Sequence, residues 1–81
     1  MTQNNSSITA GQMRAGRALA RLSANDLAVR AAVGLSTVQR AEASEGVPNM
    51  TRANMDAIRR ALEAAGVRFT EGGGVEPATD Q

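Results

Sequence analysis

Arginine is the residue type in this chain best suited to chemistry with a partner. All nine basic residues are Arg, and none lies beyond Arg68. A guanidinium presents a planar fork of donors that matches phosphate and the guanine edge two bonds at a time. There is no Cys and no His. Disulfides, thiol nucleophiles, imidazole bases and nearly every zinc site are thereby removed. Carboxylates, amides and hydroxyls remain, and no two carboxylates fall in an evident cleft pattern. The expectation is a protein that is not an enzyme and needs no cofactor or metal.

Charge is unevenly distributed although the net value is only +1. Up to Thr70 nine arginines meet five acids (Asp26, Glu42, Glu45, Asp56 and Glu63), leaving +4; Glu71, Glu76 and Asp80 follow. A GC-rich coding sequence that writes Arg for Lys gives the same bias, so charge alone does not identify a nucleic-acid partner.

With 81 residues the chain makes one small domain. A core of that size is commonly helped by disulfides, metals or oligomerisation. Only the last is open here, which points to a dimer. Residues 1–7 are polar and lack the apolar stretch of a signal peptide. No apolar run reaches 18 residues, so no membrane span is expected, and the cytoplasm is the expected location. The Ala-rich composition with one aromatic residue, Phe69, favours helices packed through small side chains.

The elements that must position the polar residues follow from caps and periodicity. Residues 1–8 read as a disordered arm. Thr9 and Gln12 form a capping box that opens a first helix running to about Leu22, in which Gly16 permits close packing. Ser23 and Asp26 form a second box, opening a helix to about Ala31 with Leu27, Ala28 and Ala31 on one face. Residues 32–34 break the pattern. A third helix runs from Leu35 to about Ala43, with Val38 and Ala41 inward. Two short helices joined by a three-residue turn have the shape of a helix-turn-helix. After a loop over 44–50, Thr51 caps a fourth helix to Ala65, striped by Met55, Ile58, Leu62 and Ala65 and stopped by Gly66. Residues 67–70 alternate as a short strand does, 71–74 form a turn or flexible loop, and Val75 and Glu76 can add a second strand. Residues 77–81 read as a frayed tail. The fold class is therefore mainly α: a compact bundle of four to five helices containing a helix-turn-helix, with a short C-terminal strand or hairpin. The domain spans 9–66 and the strand segment 67–76.

Residues 22–42 read LSANDLAVRAAVGLSTVQRAE. This stretch resembles the Xre/Cro-like helix-turn-helix of bacterial and phage repressors, carried by Leu27-Ala28, Val33, Ser36-Thr37-Val38, Arg40 and Glu42, with Arg17 on the first helix. The match covers roughly residues 9–62, and 57–69 (AIRRALEAAGVRF) looks like the end of small stand-alone bacterial members. Two positions depart from the pattern. Ala32 stands where the family usually has Gly, and an Ala held at positive φ costs on the order of 1 kcal/mol. Gly34 stands where a Ser or Thr cap is frequent.

The resemblance implies a transcriptional regulator, such as a repressor, that inserts its third helix into the major groove of double-stranded DNA. Leu35, Ser36, Gln39 and Arg40 would then meet base edges: Arg40 guanine, Gln39 adenine, Leu35 a thymine methyl. Ser23, Asn25, Thr37, Ser44 and Arg52 would meet the backbone. Arg17 and Glu42 would form a structural ion pair. Without the motif, Gln39 and Arg40 would read as a solvated helix face and Ser23 as a cap alone.

One helix-turn-helix touches only about half a turn of duplex, which again favours a homodimer. Val67, Phe69 and Val75 are the expected contacts, with an exposed strand edge over 67–70; the alternative is an intrachain hairpin with no intermolecular role. Two other functions remain open. One is a protein-interaction module of the same fold that sequesters another regulator. The other is the antitoxin of a toxin–antitoxin pair, although the tail after Gly66 is short for wrapping a toxin. A regulator of this kind can also touch RNA polymerase.

Overall fold

A computed structural model describes residues 7–78. The expected arm over 1–6 and the end of the expected tail, 79–81, lie outside the described residues. Four helices precede a two-stranded antiparallel sheet: α1 (Ala10–Ala20), α2 (Ala24–Ala31), α3 (Leu35–Glu42), α4 (Arg52–Ala64), β1 (Val67–Phe69) and β2 (Val75–Pro77). The fold is the expected mainly α bundle with a C-terminal hairpin. Among the described residues no helix is long and apolar enough to cross a membrane.

Local chemistry sets the helix starts. Thr9 Oγ1 accepts from Gln12 N at 3.0 Å while Gln12 Oε1 accepts from Thr9 N at 2.9 Å. Ser23 and Asp26 repeat the arrangement at 2.9 and 3.0 Å. Each box satisfies two backbone donors that a helix start leaves open. Thr51 caps α4 by accepting from Asn54 N at 3.0 Å.

The helix ends differ more from expectation. α1 stops at Ala20 rather than Leu22, because Arg21 takes the left-handed conformation at φ 60° and its N–H turns back to Ala18 O and Arg17 O. Ala32 does the same at the end of α2, with φ 58° and ψ 42°. A side chain with a Cβ is therefore held where the chain prefers Gly or Asn. Gly66, at φ 96°, closes α4 in the region that glycine enters freely.

Met13, Leu27, Val38, Ile58, Leu62 and Val67 are the largest fully buried side chains and make the centre of the core. They come from all four helices and β1. Ile8 joins them at 2% exposure, so the expected arm gives way at its last residue to a buried anchor. On α4, Ala61 is buried and Ala65 only half-buried, so the inner face is Met55, Ile58, Ala61 and Leu62. Gly16 lets α1 approach closely: a Cβ there would lie 3.3 Å from Val67 Cγ1 and 3.6 Å from Leu62 Cδ1.

The hairpin pairs Val67 with Pro77, Arg68 with Glu76 and Phe69 with Val75, so β2 runs one residue beyond the expected Glu76. Gly73, at φ 92°, makes the turn, and its N–H reaches Thr70 O at 3.2 Å. Gln12 Nε2 donates to Gly74 O at 3.1 Å and pins the turn to the start of α1. Thr70 N donates to Gly74 O, and Ala78 N to Gly66 O. Antiparallel pairs alternate, so residues 67, 69, 75 and 77 direct their backbone groups away from the ladder. Val67 is only 1% exposed. The β1 edge is thus covered at that residue, which corrects the expectation of an open edge along 67–70. On β2 the outward position 77 is a proline, which has no N–H to offer.

Candidate nucleic-acid interface

α3 presents two unlike faces. Val38, Ala41 and Glu42 are buried, whereas Leu35, Ser36, Gln39 and Arg40 are exposed and Thr37 is half-exposed. The buried set recurs at three and four residues and packs α3 onto α2 and α1, and the exposed set fills the opposite arc. Leu35 is 37% exposed, so the expected apolar outward residue does reach the surface. Arg40 makes no ion pair among the described residues.

The two ends of α3 also differ. Its N-cap is Gly34, which supplies no side-chain cap, and its first turn carries no acid. The N–H groups of Thr37 and Val38 go to Gly34 O at 3.1 and 3.3 Å. Those of Leu35 and Ser36 have no carbonyl within the helix to reach, so this end carries open donors and the positive end of the helix dipole. The start of α2 is the opposite case. Ser23 N donates to Asp26 Oδ2, and hydrogen bonds from the Ser23 backbone and side chain hold the Asp26 carboxyl below the usual aspartate range. An exposed, ionised carboxylate already stands at the α2 N-terminus. It disfavours the phosphate expected beside Ser23 and leaves that residue as a cap; Asn25 is exposed next to it.

Glu42 ties α3 to α1. Arg17 Nε and Nη2 each lie 2.8 Å from a different Glu42 carboxylate oxygen, and Arg17 Nη1 donates to Leu22 O at 3.1 Å. Glu42 is 8% exposed, while the Arg17 side chain keeps 26% exposure. The hydrogen bond that Arg17 donates to Glu42, more than the Glu42 charge and against the effect of burial, raises the affinity of the guanidinium for its proton. The contact is bidentate, two parallel N–H···O bonds from one guanidinium to one carboxylate, which is among the strong forms of such a contact.

Ser44, half-exposed, is engaged on the scaffold as well as facing the surface expected for it. Its hydroxyl donates to Arg40 O at 3.1 Å, so its proton is engaged on the end of α3. Arg52 is the exposed first residue of α4. Between α3 and the following loop lies an open groove of about 300 Å³, lined by Thr37, Arg40, Ser44, Pro48, Asn49 and Met50. Asn49 and the groove carry no signal in the sequence, since they exist only once the loop folds back on α3. Of the expected dimer contacts, Val67 is in the core, while Phe69 and Val75 are half-buried and keep some surface. Comparison with known proteins adds no family to this geometry: no protein-family model matches the chain, and no curated protein matches it.

Proposed function

We propose that the protein is a cytoplasmic transcriptional regulator that binds double-stranded DNA sequence-specifically, with α3 in the major groove. The observation that supports this best is α3 itself. Its inner face and C-terminal end are fixed to the bundle, while Leu35, Ser36, Gln39 and Arg40 share one exposed face. Such a face offers a bidentate donor for guanine, an amide for adenine and an apolar contact for a thymine methyl. The acid-free start of α3 tolerates a nearby phosphate. Asn25, Thr37 and Arg52 are the backbone contacts in this reading, and Ser23 and Ser44 are helix caps. Binding as a homodimer would place two copies of α3 about one duplex turn, ~34 Å, apart, with Phe69 and Val75 the hairpin residues that retain surface for the contact.

The test is gel-shift binding to the DNA upstream of the protein's own gene across a salt series. Specific retardation that weakens steeply with salt is expected. Arg40→Ala should relax base preference by about 1–3 kcal/mol of discrimination, and Arg52→Ala should weaken all sites alike. Failure to retard any fragment overturns the reading. Val29, at 72% exposure on α2, favours a second one, an interaction module that grips another regulator; loss of a partner with Val29→Ser but not with Arg40→Ala would select it.

A further inference from the structure

A helix leaves its last four carbonyls without donors from its own next turn. In α3 all four are met. Gln39 O accepts from Ala43 N at 3.1 Å, Arg40 O from Ser44 Oγ at 3.1 Å and Ala41 O from Ser44 N at 3.2 Å. The fourth, Glu42 O, accepts from Nη1 of Arg14, a residue 28 positions earlier on α1. Arg14 is otherwise exposed and forms no ion pair among the described residues. It sits three residues before Arg17, so the two project from the same side of α1 one turn apart. Together they hold Glu42 twice, Arg17 by the carboxylate and Arg14 by the main-chain carbonyl. A cation at a helix C-terminus also opposes the negative end of its dipole.

We propose that Arg14 is a positioning residue for the last turn of α3, the turn that carries Gln39 and Arg40, and that it sharpens base discrimination without touching DNA. The functional half of this rests on the DNA reading above; the structural half does not. The Arg17 contact fixes the Glu42 side chain, which can rotate relative to the backbone. The Arg14 contact fixes the backbone itself, two residues from the Arg40 Cα. Losing it frees the end of α3 to tilt, and a small tilt at the helix end displaces a long arginine fork by more than a hydrogen bond tolerates.

The experiment compares wild type with Arg14→Ala on two duplexes: one selected in vitro from a random pool, and a shuffled duplex of the same composition. Arg14→Met, which keeps the aliphatic stem, replaces the alanine variant if that unfolds. Arg14→Ala should weaken binding to the selected duplex by roughly tenfold, as expected for a charged hydrogen bond. Binding to the shuffled duplex should stay within about twofold, with an unchanged slope of affinity against salt. Amide exchange should accelerate at Ala43 and Ser44, whose N–H groups close the same turn. Equal weakening on both duplexes with a salt slope shallower by about 0.9 would show a phosphate contact and overturn the proposal. Unchanged exchange at Ala43 and Ser44 would overturn it as well. If the wild type binds no duplex, the DNA reading fails, and the exchange measurement still decides whether Arg14 holds the end of α3.

Discussion

Arg17→Ala removes three donors at once. Both Glu42 oxygens lose a charged partner at 2.8 Å, and Leu22 O loses one at 3.1 Å. The carboxylate left behind is on a residue only 8% exposed, so it cannot recover its hydration by turning outward. Breaking a buried pair typically costs about 3–5 kcal/mol, because the remaining charge is uncompensated. The quarter-exposed Arg17 side chain lets water into the vacated space, which puts the cost near the lower end, about 3 kcal/mol. A chain of this length has roughly 4–12 kcal/mol of total stability. The melting temperature should therefore fall by about 12–24 °C. Thermal and urea melts followed by circular dichroism measure this directly. The double variant Arg17→Met with Glu42→Leu removes the charge as well as its partner and should recover most of the loss. A single variant melting within about 3 °C of wild type would refute the reasoning. So would a double variant no more stable than the single one, since the loss would then lie in packing rather than in a stranded charge.

Ala32→Gly relieves the left-handed backbone at φ 58° and should raise stability by about 1 kcal/mol in urea melts; a loss would mean that the Ala methyl packs usefully. Gly16→Val should destabilise by about 1–3 kcal/mol, because its Cβ alone would already sit 3.3 Å from Val67 Cγ1. Asp26 titrates lower in the folded chain than in the unfolded one, so its contribution is present above the unfolded value and is lost as pH falls through the folded one. Asp26→Asn should accordingly flatten the acid end of a plot of urea midpoint against pH and leave its neutral part parallel to wild type.

What was legible in the sequence was what local chemistry decides. The Thr9–Gln12 and Ser23–Asp26 boxes announce their helix starts because cap and partner lie three residues apart. The inner faces of α2 and α4 follow from the spacing of Leu27, Ala28 and Ala31 and of Met55, Ile58 and Leu62. The outward face of α3 follows from Val38 and Ala41 in the same way. The end of α1 was not legible, because an arginine at φ 60° carries no residue-type signal as a glycine would. Ile8 stands alone in a polar stretch, where one apolar residue defines no period. Alternation gives Val67 a face but not whether that face meets the core. Ser44 has one proton, and nothing in its type says whether a phosphate or the Arg40 carbonyl takes it. The Gln12–Gly74 and Arg14–Glu42 contacts join residues 62 and 28 positions apart, a pairing that only the tertiary fold creates.

The position of α1 at the hub of these contacts bears on how the chain is made. A ribosome delivers residues in order, N-terminal first. α1 is therefore translated ahead of the distant groups that secure it: Glu42 for Arg14 and Arg17, Gly46 O for Ala10 N, Leu62 and Val67 beside Gly16, and Gly74 O for Gln12. Until α3 leaves the exit tunnel, α1 has only its own capping box to hold a turn together, and until the hairpin follows it still lacks Val67 and Gly74. The local α2–α3 unit can dock earlier, because Leu27, Val38 and Ala41 emerge close together. Completion of the fold thus waits on synthesis of nearly the last described residues, and a nascent chain stalled inside α4 must carry its first helix with most of its apolar side in water.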